Sequence, residues 1–412
     1  MSYIDPGTGS MLFTLVIGLI SAGVYALRSA LLKLRFILGG GHGKAMADDA
    51  TDYVIFTDDR RYWNVFEPIC EEFERRGISI TYLTASPDDP ALERKFEHVK
   101  CEFIGEGNRA FAQVNMLKAD IVISSTPGLD VYQWKRSRDV KWYVHVPHTV
   151  SDLTMYRMFG LDYYDAVLLT GNYQIEPLRE LERKRNLPAK KLVVVGSPYM
   201  DDMLVRKTSL GKHTPKKEGT TVLLAPSWGA SGILTLYGES IITALLETGY
   251  HIIVRPHPQS FVSEKALMDE LIAKFPASDQ LEWNTDVDNF DVLLRSDILI
   301  SDFSGVIFDY ALVFERPVIY TEPAYDKSPY DACWLDDELW TFEALPRLGM
   351  QLDPASFGDL KDVIDSCIAS TELARGRIEV RKEGWERRGK SVKAIVNYLI
   401  AKHNEIAPPS ED

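Results

Sequence analysis

The chain has 412 residues and is 45% hydrophobic, enough to bury more than one core, and its length points to two domains or more. Its net charge is −14 at pH 7 with no long Lys/Arg block, which disfavours broad nucleic-acid binding. Four scattered cysteines, Cys70, Cys101, Cys333 and Cys367, form no Cys-x-x-Cys pair, which excludes a disulfide framework or a zinc-finger set and points to a reducing compartment.

The amino terminus stands apart. Met11 to Leu27 carries no charge and is close to the minimum of about 17 residues for a membrane-spanning helix. Arg28, Lys33 and Arg35 follow it, so the positive-inside rule puts its carboxyl side in the cytoplasm. No basic segment precedes it, which argues against a cleaved signal peptide; a buried soluble helix is the competing reading. Ser29 to Leu38 reads as a segment on the membrane surface. Gly39-Gly40-Gly41-His42-Gly43-Lys44 lacks a preceding strand and is followed by Ala45 instead of Ser or Thr, so it reads as a linker and not as a phosphate-binding loop. The expected localisation is single-pass in the inner or plasma membrane, with the remaining chain cytoplasmic.

From about residue 48 short apolar runs alternate with helical patterns. Tyr53–Phe56, Ile78–Leu83, Ile121–Ser124, Trp142–Val146, Ala166–Leu169 and Leu192–Val195 read as strands. Trp63 to Arg76 reads as an amphipathic helix stopped by Gly77, and Arg109 to Lys118 as another. Strands separated by helices predict a parallel sheet with both faces covered, and ligands then sit beyond the carboxyl ends of the strands. Polar groups gather at those ends: Pro147-His148-Thr149-Val150-Ser151-Asp152, Thr170-Gly171-Asn172, and Gly196-Ser197-Pro198-Tyr199-Met200-Asp201. His148 is a candidate base, because imidazole titrates near pH 6.5; a capping loop histidine is the alternative. His145, inside its strand, reads as a core histidine.

Lys212 to Gly219 reads as an interdomain linker, after which the pattern restarts. Thr221–Pro226 runs into Ser227-Trp228-Gly229-Ala230-Ser231-Gly232, His251–Val254 into Arg255-Pro256-His257-Pro258, and Asp297–Ile300 into Ser301-Asp302-Phe303-Ser304-Gly305. Pro317–Tyr320 is a further strand. The first loop offers backbone N–H groups and hydroxyls, the second a guanidinium and an imidazole, and the third a helix amino terminus that suits a phosphate. Three such loops at one sheet edge predict a nucleotide-phosphate site. Asp309 lies on the helix after the third loop. Glu322 and Asp326 are candidates for ribose hydroxyls, with exposed loop acids as the competing reading. Arg377 to Asn397 reads as a long helix weakened by Gly384 and Gly389, and residues 404–412 as a tail. The expected organisation is therefore 1–47 anchor and linker, 48–210 first lobe, 216–375 second lobe, 376–403 closing helix and 404–412 tail.

Ala225-Pro226-Ser227-Trp228, Arg255-Pro256-His257-Pro258 and Ser301-Asp302-Phe303-Ser304-Gly305-Val306-Ile307-Phe308-Asp309-Tyr310, in this order, resemble the CDP-glycerol glycerophosphotransferase family of teichoic-acid polymerases and primases. His148-Thr149-Val150-Ser151, followed by Tyr156-Arg157, Tyr164-Asp165-Ala166 and Gly171, resembles that family's catalytic-histidine segment, and Gly196-Ser197-Pro198 with Asp201 its Gly-x-Pro-x-x-Asp motif. The resemblance implies a GT-B fold, an α/β arrangement of two Rossmann-like lobes: an acceptor lobe, a nucleotide-donor lobe and a helix that crosses back. It implies transfer of a polyol phosphate from CDP-glycerol, or a related CDP-polyol, to a lipid-linked or glycan hydroxyl at the membrane, with CMP leaving. His148 is the implied general base. His257 is the second implied catalytic residue, offsetting charge on the leaving group; Ser227, Arg255, Ser301, Asp302, Ser304 and Gly305 are the implied donor-binding set, with Thr149, Gly171, Asp201, Asp309 and Glu322 beside them. No Asp-x-Asp motif stands at the end of one of the expected strands, so neither metal nor other cofactor is implied. Val146-Pro147-His148-Thr149-Val150 departs from the family's usual Trp-His-Gly-Thr-Pro, which leaves acceptor and polyol open. A GT-B glycosyltransferase or epimerase using a UDP or CMP sugar shares the phosphate loops, and a membrane-tethered scaffold is the non-enzyme alternative.

Overall fold

The inner strand runs are apolar at most positions because both faces of each sheet are buried there. The computed structural model describes residues 51–210, 219–286, 288–302, 304–321 and 325–408. In the first half, β1 (Thr51–Thr57), β2 (Ile80–Thr84), β3 (Val99–Phe103), β4 (Ala119–Ser124), β5 (Val140–His145), β6 (Ala166–Leu169) and β7 (Lys191–Val194) form one sheet in the order β3-β2-β1-β4-β5-β6-β7. In the second, β8 (Thr221–Leu224), β9 (His251–Val254), β10 (Leu281–Trp283), β11 (Ile298–Ser301), β12 (Val318–Thr321) and β13 (Gly349–Leu352) follow the order β10-β9-β8-β11-β12-β13. Every pairing is parallel. Three edge or near-edge strands, β3, β10 and β13, were not expected from the sequence.

The alternation within one strand shows the double burial. Leu223 of β8 joins Leu299, Val318 and the helical residues Val292, Ile307 and Leu345 in one core. Val222 and Leu224 point the other way, to Ile298, Ile300, Ile241, Leu245 and Ile364. In the first half, Tyr53, Ile55, Ile121 and Ile123 pack under Val65, Phe66, Ile69 and Phe73 of helix Trp63–Arg76. That helix stops at Gly77 as expected: its φ of 67° is left-handed, and its N–H closes on the carbonyls of Glu74 and Phe73.

The closing helix differs from expectation. Arg377 to Asn397 is not continuous; helices Thr371–Gly384 and Ser391–Ile406 flank a crossover. The first packs through Val380 on the second lobe's core, and the second packs Ile395, Val396 and Leu399 on the first lobe's core. Asp201 pins the crossover. Its carboxylate accepts from Trp385 Nε1 (3.0 Å), Gly389 N–H (2.7 Å), Ser391 N–H (2.9 Å) and the Ser391 hydroxyl.

Both sheets lie in one compact unit, Thr51–Asp412. The run Met11–Leu27, expected to span a membrane, lies outside the described residues. Among the described residues no helix is long and apolar enough to cross a membrane.

Candidate active site

The chain order places the site. Each sheet winds outward from its first strand, then restarts on that strand's other side, so the direction of winding reverses between β1 and β4 and between β8 and β11. The loops leaving such a pair diverge and open a crevice for a ligand.

In the second lobe, Ser227–Gly232 leaves β8 and Ser301–Gly305 leaves β11. Asp302 ties them together: Oδ2 accepts the Ser227 N–H at 2.7 Å and Oδ1 the Ser304 N–H at 3.2 Å. Asp302 is fully buried, and burial pushes its carboxyl pKa up. Ser301, also fully buried, donates its hydroxyl to the Ala225 carbonyl at 2.7 Å. The expectation that these two side chains hold a phosphate is therefore revised: they build the turn, and the part-exposed Ser304 and Gly305 are what the turn offers. Gly305 precedes a helical turn, Val306–Phe308, that continues as a π-helix over Asp309–Phe314. Ser227 Oγ is buried without a hydrogen-bond partner.

Arg255 is also engaged. Its guanidinium donates to Asn284 Oδ1 and to the Asp286 carbonyl (2.7 Å), bracing the loop after β10. His257 is better placed for an anion. The Gln259 N–H donates to its Nδ1 at 3.1 Å, so the neutral ring carries its proton on Nε2 and can donate it. Burial, and then the Arg61 charge, lower its pKa. Trp228, about half exposed, lies 6.4 Å from its ring.

The His148 loop leaves β5 and is held by the second lobe. Val150 is fully buried in the second lobe's core. Asp152 Oδ2 accepts from the Thr341 hydroxyl (2.6 Å) and N–H (2.7 Å) on helix Trp340–Leu348. Thr149 closes the gap between the lobes: a Cβ added to Gly305 would lie 2.5 Å from Thr149 Oγ1. The loop bearing His148 thus lies against the turn at Gly305, where an added Cβ would crowd the Thr149 side chain. Thr149 Oγ1 itself is buried without a partner.

His148 packs edge-on against Tyr62 (5.1 Å) and parallel to Tyr156 (6.1 Å). Burial, and then Arg61, pull its pKa down to about 4, so the ring is neutral at cytoplasmic pH. Arg61 leaves the end of β1 and its Nη2 approaches Tyr62 Oη at 3.5 Å. Its charge bears on both His148 and His257, one from each lobe.

Three other expected site residues are structural. Gly171 is fitted against the closing helix, where a Cβ would lie 2.0 Å from the Glu383 carbonyl. Asp201 is the pin of the crossover. Asp309 is buried with Oδ1 unpartnered, its pKa raised to about 7 by burial. Glu322 and Phe303 lie outside the described residues. Sequence reading missed Arg61 and Tyr62, and it placed Asp152 and Tyr156 in the His148 segment without giving either a role; the charged run Asp58-Asp59-Arg60-Arg61 at the end of β1 was the available signal for the first two. A cluster of possible metal ligands, Asp52, Asp120 and His403, lies at the opposite, amino-terminal edge of the first sheet, where Lys141 Nζ already pairs with Asp120 at 2.7 Å.

Two doubly wound parallel lobes with facing crevice loops define a GT-B-like α/β architecture. Over residues 177–333 the chain matches the model of the CDP-Glycerol:Poly(glycerophosphate) glycerophosphotransferase family. This is the family that its motifs resemble, and the match covers the end of the first lobe and much of the second. The wall teichoic acid polymerase TagF is a structural neighbour at TM-score 0.60 and 16% identity, covering 93% of this chain and 98% of TagF. The S. aureus MnaA–UDP co-structure is another, at TM-score 0.57 and 13% identity, covering 86% and 97%. The Neisseria meningitidis UDP-GlcNAc 2-epimerase bound to UDP-GlcNAc follows at TM-score 0.54 and 13% identity, covering 86% and 100%. At these identities the likeness establishes the fold. No curated protein sequence matches the chain significantly.

Proposed function

We propose that the protein transfers glycerol phosphate, or a related polyol phosphate, from a CDP-linked donor to a hydroxyl of a lipid-linked or cell-envelope acceptor in teichoic-acid synthesis, releasing CMP. The observation that carries this reading is the contact of Thr149 with Gly305, which sets a neutral histidine beside the donor-side turn. A TagF crystal soaked with CDPG is among the similar structures, at TM-score 0.58 and 16% identity, which supports the choice of donor.

In this reading His148 Nε2 takes the acceptor's hydroxyl proton as the oxygen attacks the donor's β-phosphorus. The bond from that phosphorus to the oxygen of CMP breaks, and CMP leaves with the electron pair. His257 Nε2–H and the backbone N–H of Gly305 serve the charge that develops. Arg61 ties the steps together electrostatically. Its charge adds to burial, the larger cause, in lowering the pKa of both histidines; a diphosphate beside it offsets that charge and raises the basicity of His148. The first lobe serves the acceptor and the second the donor, and the run Met11–Leu27 keeps the enzyme at the membrane where a lipid-linked acceptor resides.

The test is calorimetric titration of the protein with CDP-glycerol, CMP, CDP and UDP, alongside turnover of His148→Ala and His257→Ala. Binding of cytidine ligands with at least about a hundredfold loss of turnover in each variant, and unchanged melting, is the expected result. Wild-type turnover in His148→Ala removes it as the base. The likeness to two UDP-linked structures makes a UDP-sugar enzyme the second reading, and selective UDP binding would establish it.

A further inference from the structure

His148 Nδ1 lies 3.4 Å from Tyr156 Oη, and the same hydroxyl lies 3.2 Å from Nε2 of His145. His145 sits on β5 with no exposed surface, its ring edge-on to Tyr156 (5.4 Å) and Tyr164 (5.0 Å). Its Nδ1 is buried without a hydrogen-bond partner. A single tyrosine hydroxyl therefore joins two imidazoles.

When that hydroxyl gives its one proton to either imidazole, the chain can run in two directions. In one, His148 Nδ1–H donates to Tyr156 Oη and the tyrosine O–H donates to His145 Nε2. His148 Nε2 is then a free lone pair, and His145 holds its proton on Nδ1. In the other, His145 Nε2–H donates to the tyrosine, whose proton points to His148 Nδ1; the His148 proton then sits on Nε2, which cannot act as a base. Once His148 has taken a proton at Nε2, both its nitrogens are donors, and only the first direction remains possible. It requires a neutral His145 at the far end. Burial, and then the nearby His148, hold His145 well below its ordinary pKa, so it accepts a hydrogen bond without taking the proton.

We infer that Tyr156 and His145 form a positioning relay that keeps His148 Nε2 free to accept the substrate proton and stabilises the imidazolium that results. This rests on the reading of His148 as the base. The relay moves no net charge: one proton passes from the acceptor hydroxyl to His148 Nε2, and the two hydrogen bonds behind it shorten in a water-poor pocket where each polarises the next. It gives a function to the contact of His145 Nε2 with the tyrosine, while the Nδ1–H that this direction requires stays buried without a partner. The titratable groups facing His148 are Arg61 and Tyr62 from the segment after β1, with Tyr156 and His145 behind it; those facing His145 are His148, Tyr156 and Tyr164.

The experiment compares Tyr156→Phe, His145→Leu and His145→Gln in the full-length protein. Turnover with the CDP-linked donor is one readout, and the His148 titration followed by histidine-selective NMR is the other. Tyr156→Phe and His145→Leu are expected to lower kcat at least about tenfold with donor KM within about twofold, and to shift the His148 titration to lower pH. His145→Gln, whose amide oxygen can accept from the tyrosine, is expected to restore most of both. Wild-type kcat and an unmoved His148 titration in Tyr156→Phe overturn the relay, even if melting falls. If His145→Leu does not fold, the Tyr156→Phe and His145→Gln pair still decides. If His148→Ala keeps turnover, the base reading has failed, and the His148 titration in Tyr156→Phe still tests the relay by itself.

Discussion

Replacing Asp309 by Asn should make the protein more stable at alkaline pH than at acid pH, relative to wild type. Asp309 opens the π-helical turn behind Gly305, is 8% exposed, and has Oδ1 unpartnered. Burial alone lifts its carboxyl from 3.8 to about 7. The folded state therefore binds a proton more tightly than the unfolded chain does. Between these two pKa values the native state holds more protons, so stability falls as pH rises, and the loss is complete above the folded pKa. A rise of this size corresponds to about 4 kcal/mol at its limit. Asn has the same shape and does not ionise, so this slope disappears in the variant while every other titrating group remains. Urea denaturation of both proteins at a series of pH values between the two pKa values and above gives the difference directly. The variant should gain on wild type progressively up to neutral pH and then hold its advantage. Parallel stability curves would refute the assignment of a buried, unpaired carboxyl to this turn.

Gly305→Ala should lower both stability and turnover, because its Cβ meets Thr149 Oγ1 at 2.5 Å and overpacking of this kind costs about 1–3 kcal/mol. Adding Thr149→Ala removes that oxygen and should recover much of the loss; additive effects in the double variant would show that the lobes do not meet there. Asp201→Ala should cost at least about 3 kcal/mol, since it leaves the buried donors of Trp385 and Ser391 unsatisfied. Hydrogen exchange should then rise first in helix Ser391–Ile406, and a variant as stable as wild type would refute the pin.

Strand positions were legible because strands buried on both faces are apolar without interruption, as Val222-Leu223-Leu224 and Ile298-Leu299-Ile300 are. The strands that escaped are those at or near an edge. β3 and β13 place exposed or half-buried residues beside buried ones, so their sequences look like loops. The polar loops at the strand ends were equally legible, since each follows directly on an apolar run.

The sequence by itself determined the two-lobed α/β plan and singled out three polar strand-end loops and His148 as candidates, because each rests on residues close together in the chain. Tertiary structure alone decided which of those residues are free. Ser301 and Asp302 turn inward to partners 76 and 75 residues away, and Asp201 to partners as far as 190 away. Their hydrogen bonds exist only once β11 lies beside β8 and the closing helix has returned to the first lobe. The same assembly brings Tyr156 between His145 and His148, and Arg61 within electrostatic reach of histidines from both lobes. A polar side chain binds whichever partner the fold places nearest, and that distance is set by topology, not by the residue's own neighbours in sequence.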